Sequence, residues 1–226
     1  MNHLGILLSG RGSNFLAIAD NIARGSLRAE IAIVISNRAD AAGIAAAGER
    51  GFRTLVLPGK GLAREEHDRR IVAALRQAGV DLVILAGYMR LLSPWFVQQF
   101  PERILNIHPS LLPAFPGLEA QHQALEHGVK FSGCTVHFDD EHLDHGAIIL
   151  QKTVPVLAGD DEHTLADRIL AEEHVAYSEA IALVSGGGYR IEGRRVLFQS
   201  GIEPENAAEN PTARSQPDNS EKPAAL

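Results

Sequence analysis

The chain alternates short apolar runs with segments that have helical spacing. Between the earlier runs, residues 14–24 and 63–78 have this spacing, and Ile71, Leu75 and Ala78 fall on one helical face. Near-continuous apolar strands separated by helices are typical of a mostly parallel twisted sheet with helices on both faces, so we predict an α/β fold whose ligand lies beyond the carboxyl ends of the strands. The predicted strands are residues 4–8, 31–35, 54–57, 81–86, 104–108 and 135–138.

The second part of the chain predicts additions to this sheet. Residues 134–138 and 147–156 form apolar runs on either side of the polar sequence DDEHLDHG, and we expect them to extend the sheet in antiparallel fashion. A long helix is predicted over residues 162–184, ended by the glycines at 186–188. Residues 189–198 then predict a small hairpin.

Composition sets the domain limits and excludes several classes of protein. From about residue 201 the chain is rich in Pro, Glu, Asn and Ala, so we predict one folded domain over residues 1–200 and a disordered tail over residues 201–226. A formal net charge of -7 argues against a nucleic-acid binder. A single cysteine, and no apolar run long enough to span a membrane, predict a cytoplasmic protein without membrane contact.

A glycine-containing loop, residues 9–14 of the sequence LLSGRGSN, lies between the first predicted strand and helix. Backbone N–H groups and the positive end of a helix can receive an anion there. A dinucleotide-binding loop would need glycine in place of Phe15 and an acidic residue near Ser36, and a phosphate-loop NTPase would need Gly-Lys-Ser/Thr. The loop is therefore either an anion site of another kind or a tight turn in which Ser13 or Asn14 only caps the helix.

The segment ILNIHPSLLP holds a candidate pair for catalysis. Asn106 and His108 are two apart on an extended stretch, so both side chains point to one side of the sheet, and Pro109 keeps His108 extended. An asparagine can donate its amide N–H to a developing oxyanion, and a histidine can exchange a proton near neutral pH. The alternative is a strand end at which both side chains satisfy local backbone groups.

A histidine used in this way gains from a carboxylate that orients the ring and stabilises its cationic form. The sequence DDEHLDHG supplies four carboxylates. Spacing alone does not choose among them, and it also allows a solvated acidic turn. The four residues are Asp139, Asp140, Glu141 and Asp144.

Two other kinds of chemistry are less well supported by the sequence. His142, Asp144 and His145 raise the alternative of a metal site, with His108 and His137 nearby, because histidine and carboxylate are common zinc ligands. The chain has no established ligand-spacing motif such as His-Glu-x-x-His, so we expect no metal. It also lacks a Gly-x-Ser-x-Gly elbow or a Cys/His signature for nucleophilic catalysis.

Four segments in order, SGRGSN, LAGYMRLLSP, LNIHPSLLPAFPG and HLDHG, resemble the phosphoribosylglycinamide formyltransferase family over about residues 4–185. The resemblance implies a Rossmann-like formyltransferase fold with added C-terminal strands and a long helix. It implies transfer of the formyl group of 10-formyltetrahydrofolate, as co-substrate, to the amine of glycinamide ribonucleotide in purine synthesis. No metal is required by this resemblance.

The resemblance also assigns roles to individual residues. It makes Asn106, His108 and Asp144 catalytic, and so chooses one carboxylate of the acidic loop. Two departures stand out, since His145 replaces a common glycine and Glu119 replaces a common histidine. The substrate-binding residues implied are Gly12, Ser13, Asn14, Pro109 and Glu173, and the folate-binding residues implied are Arg64, Met89, Arg90, Leu91, Leu92, Asn106 and Asp140.

Two other functions use much the same residues. A hydrolase that releases formate from 10-formyltetrahydrofolate would use water in place of the amine, and a non-catalytic folate or nucleotide binder would need no turnover. Small molecules are the expected partners in each case. We expect a monomer or a homodimer.

Overall fold

The computed structural model describes residues 2–140 and 142–199, and the predicted tail lies outside them. Within these residues the chain has nine strands in one sheet and six helices. The strands are β1 (Asn2–Leu8), β2 (Ala29–Ser36), β3 (Thr54–Val56), β4 (Leu82–Leu85), β5 (Ile104–His108), β6 (Phe131–Phe138), β7 (Ile148–Pro155), β8 (Tyr189–Glu192) and β9 (Arg195–Phe198). The helices are α1 (Ser13–Ala23), α2 (Ala42–Glu49), α3 (Arg64–Gln77), α4 (Pro94–Gln99), α5 (Ala120–Glu126) and α6 (Glu162–Gly186).

The sheet has a parallel half and a mainly antiparallel half, in the order β3-β2-β1-β4-β5-β6-β7-β9-β8. Strands β1 to β5 pair in parallel, whereas β6 pairs antiparallel with both β5 and β7. The predicted α/β class, the antiparallel extension and the C-terminal hairpin of β8 and β9 are therefore confirmed.

The strand order reverses at β1, whose neighbours are β2 on one side and β4 on the other. In open α/β sheets, ligands bind at such a switch point, beyond the carboxyl ends of the strands. Ser9 joins the two loops that leave β1 and β4: its backbone N–H donates to Gly87 O at 3.0 Å, and its hydroxyl accepts from Met89 N at 2.8 Å. The glycine-containing loop and the segment after β4 thus lie side by side.

The long helix α6 packs across β6 and β7 and against α1. It begins with a capping box at Asp161 and Thr164, and its C-cap is Gly187 with a φ of 68°, so the predicted glycine stop is confirmed. Tyr177 on this helix is fully buried, and its hydroxyl lies 2.9 Å from the carbonyl oxygens of both Leu85 and Leu105. Among residues 2–140 and 142–199, no helix has the length and hydropathy needed to cross a membrane.

Candidate active site

Asn106 faces a histidine on the neighbouring strand. Asn106 on β5 is directly opposite His137 on β6, and Asn106 Nδ2 lies 3.3 Å from His137 Nε2. The other ring nitrogen, Nδ1, donates to Phe138 O at 2.8 Å, so the neutral ring has Nε2 free to accept from the Asn106 amide. Burial lowers the pKa of His137 and so favours this neutral form. One Asn106 N–H is thereby used, and the second remains for a ligand.

His108 ends β5 with an acceptor at each ring nitrogen. Nε2 donates to Phe115 O at 2.8 Å, and Nδ1 lies 3.4 Å from Asp144 Oδ2. A neutral imidazole has one N–H, whereas the imidazolium has two and satisfies both partners. The side chains of His108 and Asp144 are 7% and 5% exposed, so water screens this pair only weakly. The site therefore provides an acceptor for each N–H group that an imidazolium at His108 would carry.

Asp144 is the carboxylate that the fold turns towards the histidines. Its Oδ2 accepts from Gly117 N at 2.8 Å, and its Oδ1 lies 3.9 Å from His137 Nε2. The backbone of Asp144 adopts a left-handed φ of 51°, which turns the loop at this point. The structure thus answers a question that spacing left open, since Asp144 contacts His108.

The other described carboxylates of this loop lie in different surroundings. Burial raises the pKa of Asp139 to about 7, helped by the negative charges of Asp140 and Asp144. Asp140 bonds within the loop, to His142 N at 2.7 Å and to His145 Nδ1 at 3.2 Å. Glu141 lies outside the described residues.

The segment after His108 is hydrogen-bonded to side chains of the antiparallel part of the sheet. Thr135 Oγ1 donates to Ser110 O at 2.7 Å and accepts from Leu112 N at 3.0 Å. Gln151 Nε2 donates both to Leu112 O and to Thr135 Oγ1 at 2.9 Å. Pro109, predicted to adjoin the substrate, begins this segment and is half-buried. Side chains of β6 and β7 therefore hold the beginning of the segment that leads from His108 to Phe115, whose carbonyl accepts from His108.

The glycine-containing loop leads into a helix N-terminus that has no side-chain cap. Gly12 is the N-cap of α1, with a left-handed φ of 73°, and no side chain caps the helix. A Cβ at Gly12 would lie 2.8 Å from the Cα of Gly43, so the close approach of α2 also requires glycine. Ser13 and Asn14 are the first helical residues, and neither provides the side-chain cap that the alternative interpretation required. The first backbone N–H groups of α1 are therefore left without a side-chain cap, as an anion site would need.

Asn14 connects this loop to α6. Its Nδ2 donates to Glu173 Oε2 at 2.7 Å, and both side chains are buried. Burial raises the pKa of Glu173, while the bond from Asn14 acts in the opposite direction. Among the described residues, Asn14 Oδ1 is buried without a hydrogen-bond partner. A ligand with an N–H or O–H group could supply that missing donor.

The four residues after Tyr88 divide between the surface and the core. Met89 and Leu91 are 73% and 50% exposed, as an apolar ligand surface requires. Leu92 is 9% exposed and belongs to the core cluster that contains Phe96, so its side chain packs inside the fold and its predicted folate contact would involve its backbone. Leu91 is exposed and Leu92 is buried because successive side chains on this irregular segment point to opposite sides.

The two arginines predicted for the same pocket differ in their surroundings. Arg90 is half-buried, and its Nη1 donates to Gly59 O at 3.2 Å, which ties the segment after β4 to the loop before α3. Arg64 is exposed at the first position of α3. Arg90 therefore has a visible structural role, whereas Arg64 presents its charge to solvent.

Sequence reasoning missed the residues that position the candidate pair Asn106 and His108. His137 appeared only as a neighbour in a metal alternative, yet it bonds Asn106, and Thr135 was not considered. Both lie on β6 at alternate positions opposite β5. A register for the antiparallel strand, once inferred, would have placed His137 beside Asn106.

The alternatives of a metal site at Asp144 and of a cysteine nucleophile find no support in this geometry. The Asp144 carboxylate points inward to His108, while His142 and His145 are exposed. Cys134 is fully buried, and burial together with the nearby Glu173 carboxylate raises the pKa of its thiol to about 12. A thiol of this kind is not a nucleophile at neutral pH.

Comparison with known proteins identifies the family. A family model described as formyl transferase matches residues 3–181. Phosphoribosylglycinamide formyltransferase of Escherichia coli (strain K12) is 42% identical over 187 residues, which cover 82% of this chain and 88% of that protein. The crystal structure of glycinamide ribonucleotide transformylase 1 from Symbiobacterium toebii superposes with a TM-score of 0.86 at 53% identity, covering 88% of this chain and 94% of that one.

A longer relative also matches. The trifunctional purine biosynthetic protein adenosine-3 of Drosophila pseudoobscura pseudoobscura is 48% identical over 189 residues, which are 82% of this chain and 14% of that protein. This chain thus spans a small part of the length of that relative. The family match covers the glycine-containing loop, the catalytic candidates and most of α6. This chain belongs to the formyl transferase family.

Proposed function

We propose that this protein transfers the formyl group of 10-formyltetrahydrofolate to the amine of glycinamide ribonucleotide, in de novo purine biosynthesis. The observation that carries the proposal is the cluster of Asn106, His108 and Asp144 at the carboxyl end of β5, in a chain that also has an uncapped helix N-terminus at Gly12. The three side chains suit acyl transfer, and the uncapped helix N-terminus suits the binding of a phosphate.

The cluster supplies what a tetrahedral intermediate needs. The substrate amine attacks the formyl carbon, so that a C–N bond forms and the formyl oxygen becomes an oxyanion. The second N–H of Asn106 and the positive charge of His108 stabilise that oxyanion, and Asp144 stabilises the charge on His108. The intermediate collapses as the bond to the folate nitrogen breaks, and the proton lost by the amine passes to that nitrogen.

The ribonucleotide would be held at both of its ends. Gly12, Ser13 and Asn14 offer the first-turn N–H groups of α1 to the phosphate. Glu173 is buried against Asn14, where it can accept a hydrogen bond from a sugar hydroxyl or the amine. Pro109 would lie against the same substrate.

The folate would cover apolar side chains that are otherwise exposed to water. Met89, Leu91, Leu118 and Leu143 are 73%, 50%, 79% and 57% exposed, and they follow β4 or lie on the loops beside Asp144. Burying such a surface favours binding of a flat aromatic ring system. Arg64 would pair with a carboxylate of the folate. The remaining proposed folate contacts are the side chains of Arg90, Asn106 and Asp140 and the backbone of Leu92.

The test is product formation from 10-formyltetrahydrofolate with and without glycinamide ribonucleotide, with the formylated product identified by mass. We expect tetrahydrofolate to appear only with the amine and to match the formylated ribonucleotide mole for mole. Formate release without the amine would instead support the hydrolase, and binding without turnover would support a non-catalytic binder. The Gly12 loop favours the transferase, because water needs no phosphate site.

Three further expectations go with this proposal. The reaction itself needs no metal, because the oxyanion already has an amide donor and a histidine beside it. The single cysteine is buried and free, which is compatible with the reducing cytoplasm. A monomer or a homodimer is expected, and sedimentation would distinguish them.

A further inference from the structure

The loop that carries Asp144 holds a second group of polar side chains, on its outer side. Asp140, His142 and His145, here called the loop cluster, each offer one donor atom, and these atoms lie within 4.8 Å of one another. The side chains of His142 and His145 are 74% and 49% exposed, and that of Asp140 is 37% exposed. The proposed catalytic residues do not contact this group, because Asp144 turns its carboxylate inward to His108; Asp140 is also one of the proposed folate contacts.

We propose that the loop cluster binds one divalent transition-metal ion of the zinc class. His145 Nδ1 lies 3.2 Å from Asp140 Oδ2, and His142 Nδ1 lies 3.7 Å from Asp140 Oδ1. Around a tetrahedral zinc ion with bonds of about 2.0–2.1 Å, neighbouring donor atoms stand roughly 3.3 Å apart. The two distances are close to that value, although they end on different oxygens of the Asp140 carboxylate. The side chains must therefore rotate to converge on one ion, within a group whose donor atoms all lie within 4.8 Å of one another.

The kind of donor selects the kind of metal. Two imidazoles and one carboxylate suit zinc, copper, nickel or cobalt, whereas magnesium and calcium prefer oxygen donors throughout. Three protein donors leave at least one coordination position for water, and the exposure of His142 and His145 gives water access to it.

The backbone explains why spacing did not predict this site. Asp144, in its left-handed conformation, reverses the loop so that His145 returns to Asp140, five residues earlier. The two histidine rings stand 5.3 Å apart at an interplanar angle of 60°, so they converge without stacking. Because the two histidines flank Asp144, an ion bound to both also restrains the loop that presents the catalytic carboxylate.

The binding test uses untagged full-length protein with Co²⁺, whose visible absorption reports tetrahedral coordination, and with Zn²⁺ by calorimetry. We expect one ion per chain, with binding weakened about tenfold or more in His142→Ala and in His145→Gln. His145→Gln retains a donor for Asp140, so it separates metal binding from loop hydrogen bonding. His122→Ala is the matched control, because His122 is also exposed and paired with a carboxylate, 2.7 Å from Glu162, and it should bind as the parent does.

A second measurement reports on the loop itself. At a Zn²⁺ concentration that saturates the parent protein but not the variant, Zn²⁺ should slow amide exchange across residues 139–146 much more in the parent than in His145→Gln. Absence of the cobalt spectrum, or equal binding by the parent and both cluster variants, would overturn the proposal. Neither measurement needs folate or ribonucleotide, so failure here leaves the proposed transfer reaction untouched, and failure of that reaction leaves the metal result standing.

Discussion

Replacing Asp144 with asparagine isolates the effect of its charge on His108. Asparagine has nearly the same shape, keeps an oxygen for the N–H of Gly117, and tolerates the left-handed φ of 51° at this position. The change therefore removes one negative charge, 3.4 Å from His108 Nδ1, with little disturbance of the backbone.

The size of the effect follows from that distance. Two unit charges 3.4 Å apart interact by about 5 kcal/mol at an effective dielectric constant near 20, which is an upper bound because the asparagine dipole and nearby water compensate in part. Each 1.4 kcal/mol of barrier is about tenfold in rate, so we expect kcat to fall roughly 100- to 1,000-fold. The KM for glycinamide ribonucleotide should change by less than about threefold, since Asp144 acts on His108 and not on the phosphate.

Steady-state kinetics with both substrates varied would measure the split between kcat and KM. Asp139→Asn is the matched control, because it removes a carboxylate of the same loop that does not contact His108, and it should keep near-parental turnover at neutral pH. If Asp144→Asn raised KM while kcat stayed within a few-fold of the parent, the charge argument would be refuted. An equal loss in Asp139→Asn would point to a general disturbance of the loop.

Three other changes test separate parts of the structure. Asn106→Ala removes one oxyanion donor and should slow turnover by roughly two to three orders of magnitude, about 2.7–4 kcal/mol in the barrier; near-parental kcat would exclude Asn106 from the reaction. The carboxyl group of Asp139 has a pKa of about 7 in the folded protein, raised from the ordinary value of 3.8. Its effect on the free energy of unfolding is therefore most favourable at low pH, and this stability is lost as the pH rises from about 4 to 7. Asp139→Asn should therefore gain stability relative to the parent across that range, by up to about 4 kcal/mol at pH 8, and a gap in Tm that does not grow with pH would contradict this. Tyr177→Phe leaves two buried carbonyl oxygens without their hydroxyl and should cost about 1–3 kcal/mol in urea unfolding; an unchanged midpoint would show that those carbonyls find other partners.

The sequence by itself determined most of the fold. Residue patterns with a period of two or near 3.6 depend on neighbours along the chain, so the strands of the parallel half and the long helix α6 could be predicted from local spacing. The glycine after α6 and the glycine-containing loop were recognisable for the same reason, because a positive φ is a local requirement. The resemblance in four motifs then predicted the catalytic trio, including Asp144.

Tertiary structure alone decided how these parts meet. The spacing of residues did not distinguish among the four carboxylates of the acidic loop. The contact of Asp144 with His108 depends on the reversal of this loop, which lies more than thirty residues after His108 in the chain. The bond between Asn106 and His137 depends on the register of two antiparallel strands, and the burial of Leu92 depends on what packs above it. Such contacts join residues far apart in sequence, and their geometry is set by the packing of whole elements, which no local pattern of residues records.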